Sequence, residues 1–209
     1  MPTFQYGTKE INYLKSKDKK LAEAIERIGK IERPVIPDLF EALMKKIVGQ
    51  QISTKAQESI WQKMKDQLTT IDAPTIANCS TEELQKVGLS FRKVSYMQGI
   101  AQKVVSKELI LEDLHTMTDT EVCEKLCELK GIGVWTAEML MIFSMQRPDI
   151  LSFGDLAIHR GLRMLYHHKE ITPKLFEKYR KRYSPYGSVA SLYLWAIAGG
   201  AIPEITAAK

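Results

Sequence analysis

Cysteine is scarce in this chain. The 209 residues include three, Cys79, Cys123 and Cys127, an odd number and widely spaced apart from one i, i+4 pair. That pattern excludes a disulfide framework and leads us to expect an intracellular setting, cytoplasm or nucleoid, or nucleus in a eukaryote. The opening residues MPTFQYGTKE carry no apolar signal core, in line with that expectation. Long apolar runs are missing too. The longest uncharged stretch, 184–203, is interrupted by Pro185, Gly187, Ser188, Ser191 and Gly199-Gly200, so it reads as a buried core helix and no membrane association is expected. The histidines, His115, His159, His167 and His168, make no HExxH or Cys-His ligand spacing, so no metal site is expected. No Walker A, dinucleotide-binding or Ser-His-Asp arrangement appears, and neither does a repeat array or low-complexity linker.

What is present is an ordinary globular composition, 44% hydrophobic and 26% charged, which excludes disordered and fibrous classes. Thirty Lys+Arg against 25 Asp+Glu leave a net charge of +5. A polyanionic partner suits this balance, but the balance does not require one. Apolar residues recur at helical spacing in Leu21, Ala24, Ile25 and Ile28, and again in Leu39, Leu43, Ile47 and Val48, with Pro34 and Pro37 between the runs. Thr81-Glu-Glu-Leu and Thr118-Asp-Thr-Glu look like capping boxes; a helix is expected over 93–107, and another ending at Lys130-Gly131. With no βαβ alternation, these short helices predict an all-α fold. The lysine-rich first 35 residues, with Lys15, Lys17, Lys19 and Lys20, read as an appended helix with a solvated face.

Two segments carry chemistry. In Leu129-Lys-Gly-Ile-Gly-Val-Trp-Thr-Ala137, glycines two apart join two helical stretches, so backbone amides and the start of the second helix can face an anion. A tight helical hairpin packed for its own sake explains the same residues. About twenty residues on, Ser152-Phe-Gly-Asp155-Leu-Ala places one carboxylate at a helix start, where Asp is a common N-cap. Capping and chemistry are compatible, because a capping carboxylate is held in a fixed place.

Together these segments resemble the helix-hairpin-helix, Gly/Pro-rich loop, aspartate (HhH-GPD) signature of the base-excision DNA glycosylase superfamily, with the 3-methyladenine DNA glycosylase II branch the nearest match. Lys46-Ile-Val-Gly-Gln50-Gln51-Ile-Ser53-Thr-Lys-Ala resembles that family's wedge segment, and Gly88-Leu-Ser-Phe-Arg92-Lys93-Val-Ser-Tyr96 its helix pair before the hairpin. The resemblance spans about 38–202. It implies a two-lobed helical fold with a cleft between lobes, one lobe over about 38–152 and the other from 1–37 with 153–209.

The resemblance also implies roles. Asp155 takes the catalytic position, stabilising oxocarbenium character at the sugar and orienting water. Trp135, Met139 and Trp195 would line a base pocket, with the indole of Trp135 stacking on a cationic alkylated purine. DNA contacts fall to Gln50, Gln51, Ser53, Gly131, Gly133, Thr136 and Ser188, with Gln51 as the wedge left by base flipping. The basic run Lys174, Lys178, Arg180, Lys181, Arg182 lies beside that groove or forms a solvated face. Relatives that also cleave the strand carry lysine where Trp135 stands. The expected enzyme is therefore monofunctional, leaving an abasic site in double-stranded DNA that held a damaged base, acting as a monomer and requiring no cofactor. An alkali cation at the hairpin carbonyls is an option within the family. Two rival readings stay open: a non-catalytic helix-hairpin-helix DNA-binding module, and a glycosylase for deaminated or oxidised bases.

Overall fold

The computed structural model describes residues 2–206. Within them α1 (Thr8–Lys17) and α2 (Lys19–Ile28) come first. They are followed by α3 (Leu39–Gly49), α4 (Thr54–Gln67), α5 (Ala73–Asn78), α6 (Thr81–Lys86), α7 (Phe91–Val105), α8 (Asp119–Cys127) and α9 (Val134–Phe143). The series closes with α10 (Leu156–Tyr166), α11 (Pro173–Tyr183) and α12 (Gly187–Ala198). Among the described residues no strand forms beyond an isolated bridge between Thr3 and Pro34, so the all-α expectation holds. No described helix is long and apolar enough to cross a membrane.

Side-chain caps set most helix starts. Asp18, Asp38, Ser53, Asp72, Ser90 and Thr172 each accept a backbone N–H from the first turn they precede. Thr118 and Glu121 form the capping box expected at that position. In the other predicted box the cap is Ser80, one residue earlier, and its partner is Glu83. Helix α7 runs 91–105, two residues ahead of its predicted span. Helix α8 stops at Cys127 because the chain tightens: Leu129 donates to the Leu126 carbonyl at 3.1 Å, short of the predicted end at Lys130-Gly131.

The chain divides into two compact units, one comprising residues up to Val35 and from Gln146 onward, the other Ile36–Met145. In the second, Leu43, Met44, Ile47 and Val48 of α3 are fully buried, as are Met64 of α4, Val94 and Met97 of α7, and Ile142 of α9. In the first, α12 is buried along nearly its whole length and packs against α10. The buried Asp18 carboxylate caps α2 and pairs with Arg182 of α11, so one charge both starts a helix and ties α2 to α11. Residues 146–152 belong to this unit, whereas the sequence reading grouped them with the hairpin. The reason is a set of hydrogen bonds from Ser188 and Ser191 to 147–150, described below.

The α10–α12 contact leaves no room for a side chain at Gly161. A Cβ there would overlap the Leu194 carbonyl oxygen and lie 2.9 Å from its carbon, both of them backbone atoms. Gly161→Ala should therefore destabilise the protein by about 1–3 kcal/mol through overpacking, and thermal unfolding should show the midpoint falling by roughly 2–4 °C per kcal/mol.

Candidate functional site

Within residues 36–145, the turn between α8 and α9 has the geometry its glycines predict. Ile132 donates to the Leu129 carbonyl at 3.0 Å, and Gly131 sits at φ +91°, in the left-handed region. A Cβ on Gly131 would also run into the Tyr96 ring. Gly133 precedes α9 in extended conformation and has no side chain to cap it, so the positive end of the α9 dipole opens onto an exposed surface formed by Gly133, Val134 and Trp135. Trp135 is 47% exposed, whereas Met139, one turn on, is 3% exposed and belongs to the core. Thr136 lies between them and is half-buried.

The loop after α3 is tied to this hairpin. Gln50 Nε2 donates to the Gly131 carbonyl at 2.6 Å, so this N–H is spent within the protein and is not offered to DNA. Lys93 Nζ donates to the Val48 carbonyl at 2.8 Å at the end of α3. Burial, with the neighbouring Arg92 charge, holds the Lys93 ammonium below its usual pKa. Gln57 Nε2 binds the Lys45 carbonyl at 2.8 Å. Between these struts Gln51 is exposed at φ +57°, with its Oε1 accepting from Arg92 Nη2 at 3.4 Å. Ser53 caps α4 through Ala56 N–H at 3.2 Å and is also exposed. The structure thus brings Gln50, Gln51, Ser53, Gly131 and Gly133 into one connected region and adds Arg92 and Lys93 to it.

The other unit holds Asp155. Its Oδ1 accepts from Ala157 N–H at 2.8 Å and Ile158 N–H at 3.0 Å, capping α10, and the residue is 7% exposed. Phe153, two residues earlier, packs edge-on against His159 of α10 and Phe176 of α11 at 4.9 and 5.1 Å between centroids. Leu156, directly after the carboxylate, is 84% exposed. Trp195 on α12 is half-buried.

Ser188 is not where the sequence reading put it. The residue is fully buried; its hydroxyl donates to the Arg147 carbonyl at 2.5 Å and accepts from Ile150 N–H at 3.0 Å. Its own N–H binds the Pro148 carbonyl at 3.0 Å. These bonds spend its hydroxyl and its N–H within the protein. The start of α12 is likewise occupied, since Gly187 N–H donates to Asp149 Oδ1 at 3.0 Å. In the basic run of α11, Arg180 makes two bonds to Glu177, and Arg182 pairs with Asp18. Lys181 also pairs with Glu177, at 3.8 Å, so three of the run's five cations are engaged internally. No local signal marks Asp149 or Arg92, whose partners lie 38 and 41 residues away.

The model of the HhH-GPD superfamily of base excision DNA repair proteins matches residues 44–185, which include the loop, the hairpin and Asp155. The chain belongs to that superfamily. It is 32% identical over 161 residues to DNA-3-methyladenine glycosylase 1 of Schizosaccharomyces pombe, covering 75% of this chain and 71% of that protein. The crystal structure of a DNA-3-methyladenine glycosidase from Bacillus halodurans superposes with TM-score 0.87 and 35% identity, covering 98% of this chain and 95% of the other. The S. pombe 3-methyladenine DNA glycosylase in complex with abasic DNA superposes with TM-score 0.78 and 28% identity, covering 92% and 97%.

Capping by Asp155 makes a stability prediction within this superfamily member. Asp155→Ala should lower stability by about 1 kcal/mol, whereas Asp155→Asn, which keeps an acceptor oxygen, should change it by a few tenths. Urea unfolding followed by circular dichroism distinguishes the two.

Proposed function

We propose that this protein is a monofunctional DNA-3-methyladenine glycosylase, hydrolysing the N-glycosidic bond of alkylated purines and leaving an abasic site. The observation that carries the reading is the Asp155 carboxylate held rigidly at the start of α10, in a chain that matches a DNA-3-methyladenine glycosidase over 98% of its length. Its partner is double-stranded DNA containing a damaged base, which a monomer of the enzyme engages inside the cell.

In this mechanism the α9 N-terminus and the hairpin glycines grip a phosphate, and the damaged nucleotide rotates out of the stack. Gln51 enters the gap. Its left-handed backbone projects the side chain from the loop, and the ties at Val48 and Gly131 give the loop something to push against. The exposed Trp135 indole stacks on the extruded purine, and because alkylation gives that base a positive charge, cation–π attraction adds selectivity for damage. As the bond from C1′ to the base nitrogen breaks, electrons leave with the base and positive charge builds on the sugar. The Asp155 carboxylate stabilises that charge and orients the water that attacks C1′. The products are the free base and an abasic site in an unbroken strand.

No step requires a cofactor. An alkali cation at the hairpin would use the turn carbonyls. Those of Leu129 and Gly131 already accept one hydrogen bond each, and a second lone pair on each oxygen still fits a cation that would add positive charge facing a phosphate.

Methylated duplex incubated with wild-type protein should release 3-methyladenine, separated by chromatography, without strand nicking. Asp155→Asn should lose at least about a hundredfold in rate while remaining folded. An active, stable Asp155→Asn protein overturns the assignment, and release of deaminated or oxidised bases instead of alkylated ones would move the substrate class. Borohydride should trap no covalent enzyme–DNA adduct, because Trp135 stands where an amine would attack C1′.

A further inference from the structure

We infer that Ser188 and Asp149 are positioning residues for Asp155, clamping residues 147–150 onto the start of α12 and so fixing the turn that carries the carboxylate. The inference rests on the reading of Asp155 given above. Its basis is a set of hydrogen bonds that treat a short irregular segment like a strand. Ser188 supplies three of them: hydroxyl to the Arg147 carbonyl, Ile150 N–H to the hydroxyl, and its own N–H to the Pro148 carbonyl. Ser191, one turn on, donates to the Ile150 carbonyl at 3.0 Å. Asp149 completes the clamp, with Oδ1 accepting from Gly187 N–H at 3.0 Å and Oδ2 from Ser184 Oγ at 2.5 Å. The Ser184 carbonyl in turn accepts from Tyr13 of α1 at 2.6 Å, so the far side of the clamp is braced as well.

From Ile150 the chain runs through Leu151 and Ser152, both buried, and then through the exposed Phe153 and Gly154 to Asp155, with the Phe153 ring held against His159 and Phe176. On its other side, Asp155 begins α10, and α10 lies against α12 at Gly161. Both flanks of the carboxylate are therefore referenced to one buried helix. Without the Ser188 hydroxyl, the buried Ile150 N–H loses that acceptor and the Arg147 carbonyl that donor, which loosens the hold of the clamp on the lead-in segment. A shift of about 1 Å at a reacting group is enough to cost on the order of a hundredfold in rate.

The same residues could touch DNA or only stabilise the fold, and three measurements on the full chain separate these roles. They are the single-turnover rate of base release at saturating enzyme, the Kd for duplex with an abasic-site analogue including its salt dependence, and the thermal midpoint. For Ser188→Ala and Asp149→Asn we expect the saturating rate to fall about 10- to 100-fold, with Kd changed by less than about threefold and an unaltered salt slope. Ser188→Cys, which keeps a weak donor and acceptor of similar shape, should recover part of the rate. Ile197→Val, also on α12 but outside the clamp, should lower the midpoint without lowering the rate. Weakened binding with a shallower salt slope and a normal saturating rate would make Ser188 a phosphate contact and overturn the inference. A lowered midpoint with normal rate and affinity would overturn it too, leaving a purely structural serine. Should Ser188→Ala fail to fold, Asp149→Asn, which retains the acceptor for Gly187, decides alone. A fully active Asp155→Asn would remove the underlying reading. An inactive Asp155→Asn beside wild-type rates in both clamp variants would remove only this one.

Discussion

The contact of α10 with α12 at Gly161 is the constraint on which the rest of its unit depends. It brings a helix backbone against the Leu194 carbonyl, a distance that only a residue without Cβ permits. Helix α12 cannot retreat, because it is buried along nearly its whole length, and each large apolar side chain it would expose is worth about 1.5–3 kcal/mol. The start of α10 is thereby located to within the tolerance of core packing, and Asp155 sits at that start. Position here comes from packing density, which gives better precision than a loop held by a few exposed bonds.

Residues 36–145 achieve similar precision by other means. Their loop and hairpin are irregular backbone, so the ties run from side chains to main-chain carbonyls, Gln50 to Gly131 and Lys93 to Val48. A side-chain amide and an ammonium thereby reach carbonyls that no regular hydrogen-bond ladder pairs. One result is that a residue type common at DNA interfaces, glutamine, here serves partly as scaffolding. Of the adjacent pair, Gln50 faces the protein and Gln51 faces outward.

What the sequence made legible follows the range of the interactions involved. Capping at Thr118, the glycine-dependent hairpin turn, the Asp155 cap and the largely buried α12 all rest on contacts within a few residues or on helical periodicity, and all are present. The second capping box was displaced by one residue because Ser80 and Thr81 are both competent caps, and only Ser80 lies three residues before a glutamate that can reciprocate. Ser188 was misread for a physical reason. A serine at a helix start looks the same whether it faces solvent or an irregular segment 38–41 residues earlier, and only the fold reveals the latter. Met139 illustrates a related limit, since helical spacing from Trp135 places it one turn on but says nothing of how deeply that turn is packed. Arg180, Lys181 and Arg182 show the same for charge: a basic run counts cations without showing that Asp18 and Glu177 have claimed three of them.

The doubly bonded cap at Asp155 has a consequence for how this lineage can change. Reactive groups are often held in settings the fold would rather abandon, so that losing them raises stability and selection must hold them in place. Here the Oδ1 atom that anchors the carboxylate is the one that finishes a helix, through bonds of 2.8 and 3.0 Å to Ala157 and Ile158. An amide at this position would finish it almost as well. Drift from aspartate to asparagine would meet neither a barrier nor a reward in folding, and under the role proposed for Asp155 its product would be a sound protein that no longer cuts the glycosidic bond. On that proposed role, the boundary between a repair enzyme and a silent relative is a single isosteric exchange, invisible to folding quality control and guarded only by the survival value of the chemistry.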